Sequence, residues 1–167
     1  MAIENPKALF VMLLSNLRQR EEHTTEILKE ISQAAQDPDI KEALESRVFQ
    51  KEQILSSLDR CFSLIGEKPM KVSDRLRDVF IEDFRRELAE IQSPAVRHLF
   101  ILAKAKHLVQ IRIGEYMALT TMADVTRHFG VGVLLEACLA EQLSFVERMR
   151  RIVRHLVGRE IGERLAA

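Results

Sequence analysis

The stretch LFVMLLSNLRQREEHTTEILKEI, residues 9–31, decides the fold. Its apolar residues recur at spacings of three and four, which is the period of an α-helix with one buried face. Glu21 lies inside this apolar stripe. A buried carboxylate needs a metal ion, an arginine or a proton, because removing its charge from water is costly. The alternative is a polar edge of the helix, since Glu22 and His23 follow directly.

A second carboxylate has the same context near the carboxyl end of the chain. Glu141 lies among Leu134, Cys138 and Phe145 at helical spacings, and Gln142 beside it suits a partly wet bundle interior. We therefore expect two glutamates from two different helices to enter the core.

Prolines and glycines mark the points where the helical periodicity stops. A capping residue followed by proline predicts a helix start, and a glycine after the last apolar residue predicts an end. The predicted helices run from Pro6 to before Asp37, from Pro38 to Gly66, from a Ser73 cap to Ile91, from Pro94 to about His128, and from Val133 to about Val157 before Gly158, with a short amphipathic tail to Ala167.

The lengths of the connections predict how these helices pack. A very short link at Asp37 and a break at Gly130 and Gly132 each join two long helices, so each pair forms an antiparallel hairpin. The shorter third helix has one clean apolar stripe and is expected outside, as the crossover. We therefore predict an all-α, ferritin-like four-helix bundle of two antiparallel hairpins with a short fifth crossover helix, in a single domain over residues 1–167.

Composition restricts the classes of partner. The 25 basic and 25 acidic side chains cancel, so no overall field favours nucleic acid or an anionic membrane. The start of the chain lacks a signal-peptide pattern and no apolar run approaches the ~20 residues that span a bilayer, so we expect a cytoplasmic protein. The basic segment of residues 148–159 is expected to be a solvated helix face, and Cys61 and Cys138 to be free, buried thiols.

Catalytic motifs are absent from the sequence. A di-iron carboxylate bundle uses about six ligands, usually including two Glu-x-x-His motifs, and no histidine here follows a carboxylate at that spacing. At their midpoints, the second and fourth predicted helices instead offer Arg47, Gln50, Arg112 and Glu115. Arginine repels a divalent metal but neutralises a buried carboxylate.

Four segments spread over nearly the whole chain carry a resemblance to a known family. They are residues 9–15 (LFVMLLS) with Glu21, residues 44–48 (LESRV), Glu115 with Ala118 and Thr121, and Leu134-Leu135 with Leu139 and Glu141. In these segments and in its helix order the chain resembles the bacterial stress-induced ferritin-like family YciE/YciF. The resemblance implies a dimeric helical bundle of this length.

The chain departs from the pattern of this family at the positions that matter for metal binding. It keeps Glu21 and Glu141, but has Arg47 and Gln50-Lys51 where relatives often carry histidine and Glu-Thr. It also has Arg112-Ile113 where they carry a Glu-His pair before the glutamate at 115. The resemblance therefore implies the fold more strongly than any ferroxidase-type activity.

Two interpretations of the core glutamates follow. In the first, no residue is catalytic and no cofactor is expected. Arg112 and Arg47 then pair Glu21 and Glu141 in a core charge network, and the protein has a structural or protein-interaction role. In the second, a residual metal site of Glu21, Gln50, Glu115 and Glu141 holds Fe or Mn, which accept oxygen ligands, and supports ferroxidase-type chemistry.

A homodimer is the expected assembly, and an unidentified protein partner is a further expectation. Besides the resemblance, the chain has more apolar residues than one internal stripe can bury, which would leave an exposed patch to cover. The residues in question include Phe49, Ile101, Ile111 and Val125.

Overall fold

Six helices make up the computed structural model, which describes residues 3–71 and 75–166, with side chains up to Arg159. No strand occurs in these two ranges. The helices are α1 (Pro6–Ala34), α2 (Pro38–Phe49), α3 (Lys51–Ile65), α4 (Leu76–Glu90), α5 (Pro94–Val125) and α6 (Phe129–Ala166).

The predicted helix starts are confirmed where the sequence places a cap before proline. The Asn5 side chain accepts a hydrogen bond from the Ala8 N–H at 2.8 Å, and Asp37 accepts from the N–H groups of Asp39 and Ile40. Gly66 ends α3 with a φ of 70°, a left-handed conformation that glycine adopts without strain. The predicted Ser73 cap lies outside the described residues.

The second predicted helix is divided in two, which corrects the sequence prediction. Gln50 has a φ of −73° and a ψ of −4°, and its N–H donates to the carbonyls of Ser46 and Val48. The chain turns there, although neither glycine nor proline marks the position. The break leaves the Phe49 side chain 90% exposed while Arg47 is buried.

The last helix is longer than predicted at both ends. It begins at Phe129, so Gly130 and Gly132 lie inside its first turns, and it continues through Gly158 to Ala166. Glycine inside a helix costs about 1 kcal/mol relative to alanine, which a helix of this length tolerates. The turn before α6 contains Arg127, with a φ of 61°.

Ion pairs and side-chain contacts establish the topology. Arg148 of α6 pairs with Glu42 near the start of α2, whereas Gly130 lies beside Leu64 near the end of α3. The segment α2–α3 is therefore antiparallel to α6. Arg18 of α1 pairs with Asp59 of α3, and the Phe10 ring of α1 stacks on His128 after α5, so α1 is antiparallel to both neighbours.

These contacts confirm a four-helix bundle of two antiparallel hairpins. The short helix α4 forms the connection between the hairpins and lies along the outside of α1, as expected. Its buried residues Phe84 and Leu88 pack into the second apolar layer. The exposed ion pairs Arg77–Glu26 at 2.8 Å and Arg85–Glu30 at 2.6 Å also connect it to α1.

The apolar core forms two layers along the bundle. The first apolar layer includes Phe10, Leu14, Leu17, Leu58 and Leu119. The second apolar layer includes Ile27, Ile31, Ile40, Leu44 and Leu108. Between the two layers, each long segment of the bundle contributes one buried polar side chain, and these side chains form the site described below: Glu21, Arg47, Arg112 and Gln142.

The expectation of surplus apolar residues is correct for some residues and wrong for others. Phe49 and Val125 are exposed, at 90% and 73%, and Ile111 is half-buried. Ile101 is fully buried, because it belongs to the second apolar layer.

The segment Phe129–Arg159 of α6 is long and apolar enough to cross a membrane by length and composition alone. This was not expected from the sequence. Only a third of its most apolar stretch is buried inside the bundle. The buried part includes Val131, Leu135, Phe145 and Met149, which pack in the two apolar layers as the side chains of a core helix do.

Candidate functional site

A layer of polar side chains crosses the centre of the bundle, between the two apolar layers. Glu21 of α1 is only 3% exposed, so it lies in the core and not at a polar edge of its helix. Its carboxylate accepts a hydrogen bond from the Arg47 guanidinium at 3.4 Å and one from the Gln142 side-chain amide at 2.8 Å. Three segments of the bundle, α1, α2 and α6, therefore meet at one carboxylate.

The remaining long helix of the bundle, α5, contributes a second buried arginine. Arg112 of α5 is fully buried and donates to the Glu115 carboxylate one turn later. The other oxygen of Glu115 accepts from Arg20 of α1. We call Glu21, Arg47, Arg112 and Gln142 the polar layer, with Glu115 and Arg20 at its rim.

Burial and the nearby positive charges shift the pKa of Glu21 in opposite directions. Burial raises its pKa above the usual value of 4.5, and the charges of Arg47 and Arg112 and the hydroxyl of Tyr116 oppose that rise. Tyr116 is fully buried, and burial together with the nearby Glu21 carboxylate raises its pKa. The balance makes the ionisation of Glu21 dependent on its arginine neighbours.

Glu141 is not part of this layer, which corrects the prediction. Its side chain is exposed, and the neighbouring Gln142 is fully buried. The inward residues of α6 include Leu135, Cys138, Gln142, Phe145 and Met149. One position along a helix is a rotation of about 100°, so a single-residue error in phase moves a side chain from the core to the surface.

The four residues of the predicted metal site do not come together. Glu21 lies in the core, and Glu115 is engaged by Arg112 and Arg20. Gln50 and Glu141 lie apart from both, lining a surface cavity of about 90 Å³ between α3 and α6 with Ser57 and Cys138. Among the residues that the structure describes, no three His, Cys, Asp or Glu side chains form a group that could hold a metal ion.

The predicted charge network is present in part. Arg47 and Glu21 form a buried ion pair, and Arg112 lies close enough to influence the pKa of Glu21. Gln142 and Arg20 were not predicted as members. Gln142 shares a helical stripe with Leu135 and Phe145, which is the pattern that could have identified it.

A family model described as a domain of unknown function, DUF892, matches residues 5–162. The chain belongs to the DUF892 family. None of the curated proteins matches the sequence significantly.

Solved structures share the fold of this DUF892 chain at low sequence identity. The E. coli stress protein YciF is 18% identical with a TM-score of 0.85, and the match covers 93% of this chain and 99% of YciF. YcfI of Rhodopseudomonas palustris, described as a candidate structural protein, is 22% identical with a TM-score of 0.82, covering 89% and 94%. A protein of Xanthomonas campestris is 15% identical with a TM-score of 0.67, covering 93% and 97%. The predicted resemblance to the YciE/YciF family is confirmed.

Proposed function

We propose that this chain is a non-catalytic ferritin-like bundle with a structural or protein-interaction role in a stress response. In this proposal the protein is cytoplasmic and dimeric. Its polar layer is a degenerate di-iron site in which arginine has replaced the metal ions. The stress-related part rests on the fold shared with YciF, which is named as a stress protein.

One observation carries the proposal: both oxygens of Glu21 are already engaged. One accepts from the Arg47 guanidinium and the other from the Gln142 amide. A cation would have to displace these donors, at 3.4 Å and 2.8 Å, before it could bind the carboxylate. A metal entering the layer would also meet the positive charge of the fully buried Arg112.

The donor set does not fit the metal centre that the fold family implies. Such a centre uses about six ligands from four helices. In the layer, α2 supplies Arg47, α5 supplies Arg112 and α6 supplies an amide, so Glu21 is the one carboxylate fully inside. The alternative function, iron or manganese binding with ferroxidase-type chemistry, would require Glu115, Gln50 and Glu141 to leave their present positions.

Elemental analysis tests this proposal. The protein is purified without chelator, and metal content is measured as isolated and after aerobic loading with ferrous iron. Glu21→Ala removes the central carboxylate, and Glu22→Ala removes its neighbour, which lies outside the layer and faces Arg18. We expect no stoichiometric metal in any sample. Near-stoichiometric metal that is lost in Glu21→Ala and kept in Glu22→Ala would overturn the proposal.

A further inference from the structure

Positive charge is concentrated where the middle of α6 lies beside the first half of α5. Residues 96–110 and 143–159 contain eight lysines and arginines and a single acidic residue, Glu147, although positive and negative charges balance over the whole chain. The cations are Arg97, Lys104, Lys106, Arg148, Arg150, Arg151, Arg154 and Arg159. The rest of the chain therefore carries the balancing excess of acidic residues, and the charges of the protein are segregated.

The packing of α5 against α6 brings two of these cations side by side. A Cβ at Gly132 would lie 3.7 Å from the Asp124 carboxylate, so these two residues mark one level where the antiparallel helices touch. Lys106 precedes Asp124 by 18 residues, and Arg150 follows Gly132 by 18 residues. Eighteen residues make about five turns of an α-helix, so Lys106 and Arg150 lie level with each other and on the same side of the hairpin as the marking pair.

Four of the cations lie in the open at this place. They are Lys106, Arg150, Arg151 and Arg154, which we call the basic patch, and all four side chains are exposed. Within the described residues, three of them take part in no ion pair, and Arg150 has only a loose pair with Glu147, at 3.6 Å. Arg148, in contrast, pairs with Glu42 at 2.9 Å. The basic patch is therefore left largely uncompensated by the chain itself.

Exposed apolar side chains border the basic patch along both helices. Leu143, 52% exposed, comes seven residues before Arg150, and Leu99, 37% exposed, comes seven residues before Lys106. Val157, 38% exposed, lies three residues beyond the patch on α6. Spacings of three and seven residues keep a side chain on the same side of a helix. Cations and apolar groups thus share one surface formed by two helices lying side by side.

The composition of this surface favours an anionic lipid bilayer over a nucleic acid. Basic side chains bind anionic headgroups, and apolar side chains beside them gain free energy by entering the boundary of the acyl region. A phosphate backbone would leave leucine and valine in water. The aromatic residues of the two stretches, Phe100 and Phe145, are half-buried and buried, so they do not offer a face for stacking on a base. α6 is also the helix whose most apolar stretch is only a third buried in the bundle.

We propose that the basic patch docks the protein on an anionic phospholipid surface, with its cations against the headgroups and Leu143, Leu99 and Val157 at the boundary of the acyl region. The helices lie along the surface and do not cross it, because the opposite side of α6, with Phe145 and Met149, is packed in the core. This docking goes beyond the proposed function and makes no use of the polar layer. Metal content and vesicle binding therefore test the two proposals separately.

Vesicle co-sedimentation of the wild-type protein tests the docking. The protein is mixed with phosphatidylcholine vesicles that either contain or lack phosphatidylglycerol, at low and at high ionic strength. We expect binding to the anionic vesicles alone and a loss of binding as salt rises, because salt screens exposed charges within about 10 Å at 0.1 M. No binding to the anionic vesicles at low salt, or equal binding to the neutral ones, would overturn the proposal.

Charge reversal tests the position of the docking surface. Arg150→Glu combined with Arg154→Glu should lower the partition coefficient for the anionic vesicles roughly twenty-five-fold or more, since each cation near such a surface contributes about a factor of five. Arg60→Glu combined with Lys68→Glu is the matched control, because it makes the same charge change at exposed positions near the other end of the bundle. Both double variants should keep the far-UV dichroism of the wild type. Equal losses of binding in the two would show that net charge alone matters and would overturn the proposal.

An apolar substitution separates lipid from nucleic acid as the occupant. Leu143→Ser should weaken vesicle binding roughly threefold or more, because it removes apolar area that enters the bilayer. Leu64→Ser, at a position 54% exposed on α3, is the control and should bind as the wild type does. Fluorescence anisotropy with a labelled DNA duplex is measured at the same phosphate concentration. Tighter binding to the duplex than to the vesicles, or vesicle binding that Leu143→Ser leaves unchanged, would overturn the proposal.

Discussion

The polar layer and the apolar layers on either side of it are equally buried, yet they are held together by different physics. In the first apolar layer Phe10, Leu14 and Leu58 are fully buried and gain free energy in proportion to the area removed from water. In the polar layer Glu21 and Arg47 are both 3% exposed, and their attraction must first offset the cost of removing two charges from water. Burial alone therefore does not measure what a residue contributes to stability.

The polar layer is also less completely satisfied than its neighbours. Among the described residues, the Arg47 Nε and the Gln142 Oε1 have no protein hydrogen-bond partner although both atoms are buried. Each such atom costs about 1–3 kcal/mol. The buried side chains of the polar layer therefore carry a cost that aliphatic side chains such as Leu14 and Leu58 do not.

Removing one partner of the buried ion pair should have the largest effect on stability. Arg47→Leu should lower the free energy of unfolding by about 3–5 kcal/mol, because the Glu21 carboxylate remains buried without its main counter-charge. Urea unfolding followed by circular dichroism measures this. In the control variant Arg148→Leu, a more exposed pair with Glu42 is lost, and the change should stay below about 1 kcal/mol. Equal effects in the two variants would contradict the role given to burial.

A cavity in an apolar layer gives a reference value for the loss of stability in Arg47→Leu. Leu14→Ala should lower the free energy of unfolding by about 2–5 kcal/mol, through lost apolar burial and the cavity that remains. Unlike the effect of Arg47→Leu, this loss should not depend on pH. The same urea titrations at two pH values measure it, with Leu64→Ala, 54% exposed, as the control of small effect.

Replacing Glu21, Arg47 and Gln142 together with apolar side chains tests the net contribution of these three residues to stability. The triple variant Glu21→Leu, Arg47→Met, Gln142→Leu should be within about 1 kcal/mol of the wild type or up to about 4 kcal/mol more stable, because apolar side chains avoid the desolvation cost. Thermal and urea unfolding measure this. A triple variant as unstable as Arg47→Leu would mean that the polar layer stabilises the fold beyond the cost of its burial.

The smallest expected effect is a difference in pH dependence. Burial raises the pKa of Glu21 in the folded chain above its usual 4.5, so the folded state binds this proton more tightly than the unfolded state. The resulting stability is fully present below pH 4.5 and is lost as the pH rises through the folded-state pKa. The unfolding free energy of the wild type should therefore fall relative to Glu21→Gln over this window.

Glu45→Gln is the control for that measurement, because Glu45 is exposed. Its pH profile should follow that of the wild type. A wild-type stability that rises with pH relative to Glu21→Gln would show that the arginines outweigh burial and lower the pKa of Glu21.

The fold could be predicted because helix boundaries and apolar periodicity are local properties. Asn5, Asp37 and Ser93 precede three of the six helices as predicted, and Gly66 ends α3 in the expected left-handed conformation. The break at Gln50 could not be predicted in this way, because no residue there has a strong backbone preference. It accompanies the burial of Arg47 against Glu21, a contact between two helices.

The candidate site could be predicted only in part, because contacts between helices determine it. The pattern identified Glu21 as a core carboxylate and Arg47 and Arg112 as its neighbours, and the structure brings these three to one level of the bundle. It placed Glu141 in the core where the structure places Gln142, because both positions fit an apolar stripe to within one residue. Which of two adjacent residues faces inward depends on how α6 packs against α3 and α5.

The sequence by itself determined the helical class, the two hairpins, the outer crossover helix and the presence of charge in the core. These follow from spacing, caps and composition, which act within one helix or one turn. Only the tertiary structure decided which donors meet Glu21, that Glu141 faces solvent and that Lys106 lies beside Arg150. Such features depend on the rotation and relative height of whole helices, and these are determined by the packing of all four segments at once.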